Sequence, residues 1–190
     1  RKYFNNVNLN NIKYFARKYN KYPKYEVASG LLNTASIYLG TILLSKFFDL
    51  GIVGFFSFAL RLISLPTGLI GSSIGQVYFQ KLSEIYHNKS ESKQFTQKIY
   101  KLLINIGITP FLILTFFGDI VFKIVFGSNL ATAGLFTQML SPWLFLVFIT
   151  SPITSIIYIS SLQRVNFIFN ISIFLLRIIG IIFTALIFSD

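Results

Sequence analysis

Five long apolar stretches, separated by short polar ones, dominate the pattern of hydrophobic and polar positions along the chain. A helix needs about 20 mostly apolar residues to cross a hydrocarbon layer of about 30 Å. The pattern predicts spanning helices at about residues 28–48, 51–80, 100–118, 130–161 and 165–188. Each run is continuously apolar rather than alternating, which excludes a transmembrane β-barrel. The predicted fold class is therefore all-α, a polytopic transmembrane helix bundle.

Polar residues concentrate at the start of the chain and between the second and third predicted spans. Residues 1–27 form a basic segment ahead of the transmembrane bundle of residues 28–190. Apolar residues recur in this segment near helical spacing at Leu9, Ile12, Phe15, Ala16 and Tyr19. This spacing indicates a short amphipathic helix on an anionic leaflet, and a solvated basic linker is the alternative. Residues 83–98 are polar enough to predict an ordinary loop.

The charge of the chain is strongly unbalanced, with 17 Lys and Arg against 6 Asp and Glu, a net charge of +11. In a soluble protein such an excess would indicate nucleic-acid binding. Here 13 of the 17 basic residues fall on one side of five alternating helices, with seven in residues 1–27, five in residues 81–101, and Arg164. Basic residues stay on the cytoplasmic side of a membrane. The excess therefore predicts a cytoplasmic N-terminus for this chain and no nucleic-acid partner.

Composition excludes several classes of protein. Only 12% of the residues are charged, whereas soluble domains carry about 25%, so a stable water-soluble monomer is excluded. The chain has no Cys and one His, which excludes disulfide chemistry and the usual kind of zinc site, and we expect neither a metal nor a cofactor. The chain begins with Arg1 and stops directly after an apolar run. We therefore expect it to be a piece of a longer protein, with the remaining helices and membrane lipids as partners.

Four prolines, Pro66, Pro110, Pro142 and Pro152, lie within apolar segments. Each removes a backbone donor and is predicted to break or hinge its helix. Transporters use broken helices to line sites and to move, which favours a transport function. Helix distortion without a function is the alternative.

Two further patterns predict structural features. The stretch SLPTGLIGSSIGQ ends at Gln76 and contains Gly71 and Gly75 at GxxxG spacing, which allows close helix packing. The segment FGDIVFKIVFG predicts a short aromatic-rich helix at the outer interface. Within it, Asp119 and Lys123 are four residues apart and so are predicted to pair on one face.

Arg61 and Arg177 are the strongest candidates for function, because both are predicted to lie deep within spans. A charge near the bilayer centre costs about 2.5–3.5 kcal/mol even on the lenient insertion scale. Neither arginine has an acidic residue within its own span. Guanidinium forms paired hydrogen bonds with phosphate, so one interpretation is that both line a cavity for a phosphorylated substrate. The alternative is that they bond helix carbonyls or pair with acids elsewhere in the protein.

Several motifs in this order resemble one family. The run GIVGFFSFALRLISLPTGLIGSSIGQVYFQK resembles the eighth helix of bacterial polysaccharide (O-antigen type) flippases of the multidrug/oligosaccharidyl-lipid/polysaccharide exporter superfamily. The stretches PKYEVASGLLNTASIYLGTILLSKFF and SPWLFLVFITSPITSIIYISSLQ resemble its seventh and tenth helices. The resemblance covers nearly the whole chain from about residue 16 onward.

The resemblance implies two pseudo-symmetric lobes facing a central cavity, with this chain supplying the first five helices of the second lobe. It implies transfer of a polyprenyl-pyrophosphate-linked oligosaccharide across the bacterial cytoplasmic membrane by alternating access. Similar sequences also carry a basic residue at the position of Arg61. A drug or cation antiporter of the same superfamily is one alternative, but no predicted span contains an acidic residue. A membrane enzyme of polysaccharide assembly is a weaker alternative, because the outer joints are too short for acid/base machinery, and we expect no enzymatic activity.

Overall fold

The computed structural model describes residues 13–14, 22–160 and 162–188. Of the predicted amphipathic segment of residues 1–27, residues 1–12 and 15–21 lie outside the described residues. The described residues are helical with short turns, and none of them is in a β-strand. Among them, five helical stretches are long and apolar enough to cross a membrane. The predicted all-α transmembrane class is confirmed, and this is a multi-pass membrane protein.

The helices are joined by very short connections. In chain order they are α1 (Ala28–Phe47), α2 (Leu50–Ile85), α3 (Lys89–Phe126), α4 (Ala131–Thr150), α5 (Ile156–Ile159) and α6 (Gln163–Phe188). A π-helical turn, Tyr22–Val27, leads into α1. Two 3₁₀ segments flank α4, Ser128–Leu130 before it and Ser151–Ser155 after it.

The third helix begins earlier than the predicted span of residues 100–118. α3 has 38 residues and is kinked at Phe117. The part before the kink, residues 89–116, is about 42 Å long at the usual helical rise, so it extends beyond a hydrocarbon core of about 30 Å. The loop predicted over residues 83–98 is wrong, since only the turn before α3 is non-helical. Asn88 caps α3 through its side-chain oxygen, which accepts from the Glu91 N–H at 3.3 Å, and its amide donates to the Glu91 carboxylate at 3.3 Å. The cap stabilises the polar first turns of α3, which precede its apolar part.

The prolines break the helices less than predicted. α2 continues through Pro66, α3 through Pro110 and α4 through Pro142. The change of conformation in α3 falls instead at Phe117, with φ −128° and ψ 20°. Only Pro152 coincides with a change of helix type, at the start of a 3₁₀ segment. A proline removes a single N–H, and in membrane helices local adjustments satisfy the freed carbonyl without ending the helix.

The chain divides into two compact units, a central unit of residues 45–160 and a terminal unit formed by the described residues before and after it. In the central unit, α4 packs against both α2 and α3. The main core cluster of this unit consists of Ile63, Tyr78, Leu82, Ile99, Leu103, Phe111, Leu144, Phe148 and Ile153. Tyr78 is fully buried, stacks on Phe95 with ring centroids 5.8 Å apart, and shares a 3.0 Å hydrogen bond with Thr96. The polar helix start is thereby fixed to α2.

The predicted pairing of Asp119 with Lys123 is wrong. Gln138 donates to the Asp119 carboxylate at 2.9 Å and to the carbonyl oxygen of Phe116 at 3.2 Å. Asp119 is half-buried on the side of α3 that meets α4, whereas Lys123 is exposed. The carboxylate therefore bonds across the helix interface rather than along its own helix.

Candidate functional site

Arg61 lies three turns into α2, which begins at Leu50, and is exposed. It forms no hydrogen bond or ion pair with any residue that the structure describes. Its guanidinium therefore faces away from the packed side of α2, with all five N–H donors unused by the described part of the chain.

Other residues of α2 share the direction of Arg61. An α-helix turns 100° per residue, so positions 7, 11 and 18 residues further on lie within about 20° of the starting residue. In α2 these positions are Gly68, Ser72 and Phe79. We call these four residues the Arg61 stripe.

Three residues of the Arg61 stripe, Gly68, Ser72 and Phe79, form part of one wall of a cavity of about 570 Å³. We call this cavity the α2 groove. Its lining residues are Thr67, Gly68, Gly71, Ser72, Gly75, Gln76 and Phe79 of α2 with Ser151, Pro152 and Ser155 of the 3₁₀ segment. Both walls belong to the central unit.

The GxxxG glycines set the width of the α2 groove. A Cβ at Gly71 would lie 3.1 Å from Ser151 Oγ, and a Cβ at Gly75 would lie 3.6 Å from Pro152 Cα. The 3₁₀ segment therefore packs directly on both glycines, and only at Gly71 would a Cβ be tight enough to displace its neighbour. The close packing predicted from GxxxG spacing is therefore present, and its partner is the segment that contains Pro152.

The α2 groove is lined by neutral hydrogen-bonding groups. Ser72 donates its hydroxyl to the Leu69 carbonyl at 3.1 Å, which leaves the Ser72 oxygen able to accept further bonds. The exposed amide of Gln76 offers both donors and an acceptor. The exposed ring of Phe79 supplies an apolar face. None of the residues that line the groove is charged. On the Arg61 stripe, Arg61 itself is the one charged residue.

A second cavity in the central unit is apolar. It has a volume of about 270 Å³ and lies between α2 and α3. Pro66 and Pro110 both line it, while Pro152 lines the α2 groove. Pro142 is exposed on α4 and lines neither cavity.

Arg177 has different surroundings, in the terminal unit. One of its terminal nitrogens donates to Ser36 Oγ at 2.9 Å, and Ser36 is buried on α1. One turn further along α1, Gly40 faces the Arg177 stem, since a Cβ there would lie 4.0 Å from Arg177 Cδ. Among the described residues, the partner of Arg177 is thus a serine hydroxyl, neither a helix carbonyl nor an acid. Arg177 lines neither of the two cavities.

Sequence reasoning named Arg61 and the small and polar residues of SLPTGLIGSSIGQ, but it did not relate Ser72 and Gln76 to the side of α2 on which Arg61 lies. Ser72 and Gln76 are four residues apart, and Gly68 precedes Ser72 by four. This spacing was a usable signal for a second stripe of small and polar residues beside the Gly71–Gly75 pair.

Comparison with known proteins identifies the family. A family model described as "Polysaccharide biosynthesis protein" matches residues 7–133, about two thirds of the chain. No curated protein and no solved structure matches the chain. The family match confirms the resemblance to polysaccharide flippase-type proteins that the sequence motifs indicated, and it points to a role in polysaccharide synthesis or export. This multi-pass membrane chain belongs to the polysaccharide biosynthesis protein family.

Proposed function

We propose that this chain acts within a flippase that moves a polyprenyl-pyrophosphate-linked oligosaccharide across the bacterial cytoplasmic membrane by alternating access. The observation that carries the proposal is the Arg61 stripe, which aligns an unpaired guanidinium with an uncharged, hydrogen-bonding groove. Guanidinium suits pyrophosphate because it forms paired, charge-assisted hydrogen bonds with phosphate oxygens. Hydroxyl and amide groups suit sugar hydroxyls, which both donate and accept.

The spacing along α2 fits the order of groups in such a substrate. Arg61 and Gly68 are seven residues apart, about 10 Å along the helix axis. The groove wall from Gly68 to Phe79 extends about 17 Å further at the same rise. A pyrophosphate at Arg61 would therefore direct the first sugars into the α2 groove.

Arg177 is a second candidate ligand for the pyrophosphate. The hydrogen bond to Ser36 uses one of its five N–H donors. The remaining donors require acceptors within an apolar span, which a phosphate group would supply. We propose the cytoplasmic N-terminus of this chain from the asymmetry of its basic residues.

The alternatives receive less support from the two cavities. Their lining residues include no Asp, Glu or His. An antiporter needs a carboxylate that takes up a proton or cation, and a glycosyl-transfer enzyme needs acid/base groups beside the sugar. We therefore propose a transport function without catalysis.

The experiment is carried out with the complete protein in a bacterium that lacks its own copy. Arg61→Gln is expected to reduce surface polysaccharide and to cause lipid-linked repeat units to accumulate. Hydrogen bonds to charged groups contribute about 1.5–3 kcal/mol, so we expect a loss of transport rate of about 10- to 100-fold. The amount of protein in the membrane is measured in parallel by immunoblot.

The neighbouring serines provide a matched pair for the α2 groove. Ser72 lines the groove and Ser73 does not, although both are exposed and both donate to the Leu69 carbonyl. Ser72→Phe is expected to block transport, and Ser73→Phe is expected to leave it unchanged. Normal transport by Arg61→Gln, or equal effects of the two serine variants, would refute the assignment of the substrate to this side of α2.

A further inference from the structure

Two basic side chains share one tyrosine ring in the terminal unit. Lys24 Nζ lies 5.8 Å from the centroid of the Tyr25 ring, and the guanidinium carbon of Arg164 lies 5.5 Å from it. The two cations are therefore no more than about 11 Å apart. Tyr25 also contacts Phe167, with ring centroids 5.8 Å apart. We call Lys24, Tyr25 and Arg164 the Tyr25 cluster.

The cluster lies where two membrane-crossing helices begin. The apolar stretches that can cross a membrane start at Lys24 and at Gln163. Both cations are exposed, and neither pairs with a carboxylate of the described residues. The nearest acid in sequence, Glu26, is half-buried and has contacts of its own. A cation on an exposed aromatic ring gains only about 0.5–1 kcal/mol, so the ring holds the two charges together without neutralising them.

The N-terminus of α6 adds positive potential next to one of the two cations. Gln163 is the first residue of this 26-residue helix and Arg164 is the second. The backbone N–H groups in the first turn of a helix carry partial positive charge. The start of α6 therefore reinforces the preference of the Arg164 guanidinium for an anion.

We propose that the Tyr25 cluster binds the phosphate of an anionic phospholipid headgroup. The ammonium of Lys24, the guanidinium of Arg164 and the helix N-terminus all favour an anion, and together they suit the phosphate oxygens. A lipid is the occupant because the cluster lies at the ends of two membrane spans, where headgroups are concentrated. Tyr rings and basic side chains are the groups that membrane interfaces favour. The site goes beyond the proposed transport function, since it belongs to the terminal unit and not to the α2 groove.

The test measures lipid binding to the complete, detergent-solubilised protein by native mass spectrometry. Phosphatidylglycerol is titrated against phosphatidylcholine, which has a phosphate but no net charge. Each basic residue near an anionic lipid surface contributes about a fivefold gain in affinity, so Lys24→Gln with Arg164→Gln is expected to weaken phosphatidylglycerol binding about thirtyfold. Phosphatidylcholine binding is expected to stay unchanged.

A second double variant is the control, Lys46→Gln with Lys123→Gln. These residues are also basic and exposed, and neither contacts an aromatic ring or a carboxylate among the described residues. The control is expected to retain the preference for phosphatidylglycerol, and unchanged melting curves check that both variants fold. Equal loss in the two double variants would overturn the proposal, because it would reflect net charge alone. Absence of a preference in the parent protein, or displacement of the lipid by millimolar inorganic phosphate, would also overturn it.

Discussion

Replacement of Gly134 by alanine tests a close contact between α3 and α4 in the central unit. A Cβ at this position of α4 would lie 2.5 Å from Asp119 Cα and 2.6 Å from the carbonyl oxygen of Gly118, both on α3. Carbon atoms in favourable contact are about 3.5–4.0 Å apart. Since the obstructing atoms are backbone, no side-chain rotation relieves the clash, and α3 and α4 must separate by about 1 Å.

The magnitude follows from overpacking and from one hydrogen bond. Extra methyl groups in a packed interface cost about 1–3 kcal/mol, and a rigid obstruction falls at the upper end of that range. Separation of the helices also stretches the 2.9 Å bond from Gln138 to Asp119. We expect Gly134→Ala to lower the free energy of unfolding by about 3 kcal/mol, which lowers the melting temperature by about 6–12 °C.

The assay uses the absence of cysteine from the chain. Ser141 is fully buried on α4, so a Ser141→Cys variant provides one thiol that reacts with a fluorogenic maleimide only when the helices separate. Heating the detergent-solubilised protein with this reagent gives the melting temperature. Gly54→Ala is the control, because a Cβ there meets no atom within 4 Å, and alanine favours a helix over glycine by up to about 1 kcal/mol.

A melting temperature of Gly134→Ala within about 2 °C of the parent would correspond to less than about 1 kcal/mol. That result would refute the close backbone contact between α3 and α4. A similar decrease in Gly54→Ala would refute the reasoning in another way, because it would attribute the effect to glycine replacement in general.

Three further substitutions have expected outcomes in thermal unfolding of the purified protein. Ser36→Val removes the hydroxyl that accepts from Arg177. The unsatisfied guanidinium is expected to lower the free energy of unfolding by about 1–3 kcal/mol, and Ser36→Thr, which retains a hydroxyl, is expected to keep the stability of the parent. Asn88→Ala removes the cap of α3 and is expected to cost about 0.5–2 kcal/mol, with recovery in Asn88→Asp. Tyr78→Phe removes the buried bond to Thr96 and is expected to cost about 0.5–1.5 kcal/mol. No change in any of these variants contradicts the corresponding contact.

The five spans could be predicted because hydrocarbon thickness selects long apolar runs, a property that is local in sequence. The same criterion does not predict the start of α3, because the first turns of this helix are polar. The signal was nevertheless present, since Asn88 is followed three residues later by Glu91, the spacing of a capping box. Beyond the span, Phe95 and Ile99 are four residues apart and pack into the core cluster of the central unit. α3 is therefore helical before its lipid-facing apolar run begins, because one side of this polar part is packed against the core.

The two arginines differ in what sequence could establish. Both were identified from the cost of a charge within an apolar span. Their partners depend on tertiary packing, and the sequence holds no sign that Ser36 rather than an acid meets Arg177. Arg61 has no such partner in the described chain, which is the condition that a ligand-binding guanidinium requires. Contact with Ser36 leaves Arg177 a weaker candidate than Arg61.

α2 carries two neighbouring stripes of small residues. Gly71 and Gly75 form one stripe, and Gly68 and Ser72 form another, with the same four-residue spacing. From their spacing alone, either stripe could pack against another part of the chain. Pro152, far along the chain, covers the first stripe and leaves the second exposed beside it. Contact of Gly71 and Gly75 with the 3₁₀ segment holds that segment close to α2. Gly68 and Ser72 then face the same segment across a gap, and this gap is the α2 groove. A bulky side chain at Gly71 would push the walls apart, whereas one at Ser72 would fill the space between them, so the two positions affect transport for different physical reasons.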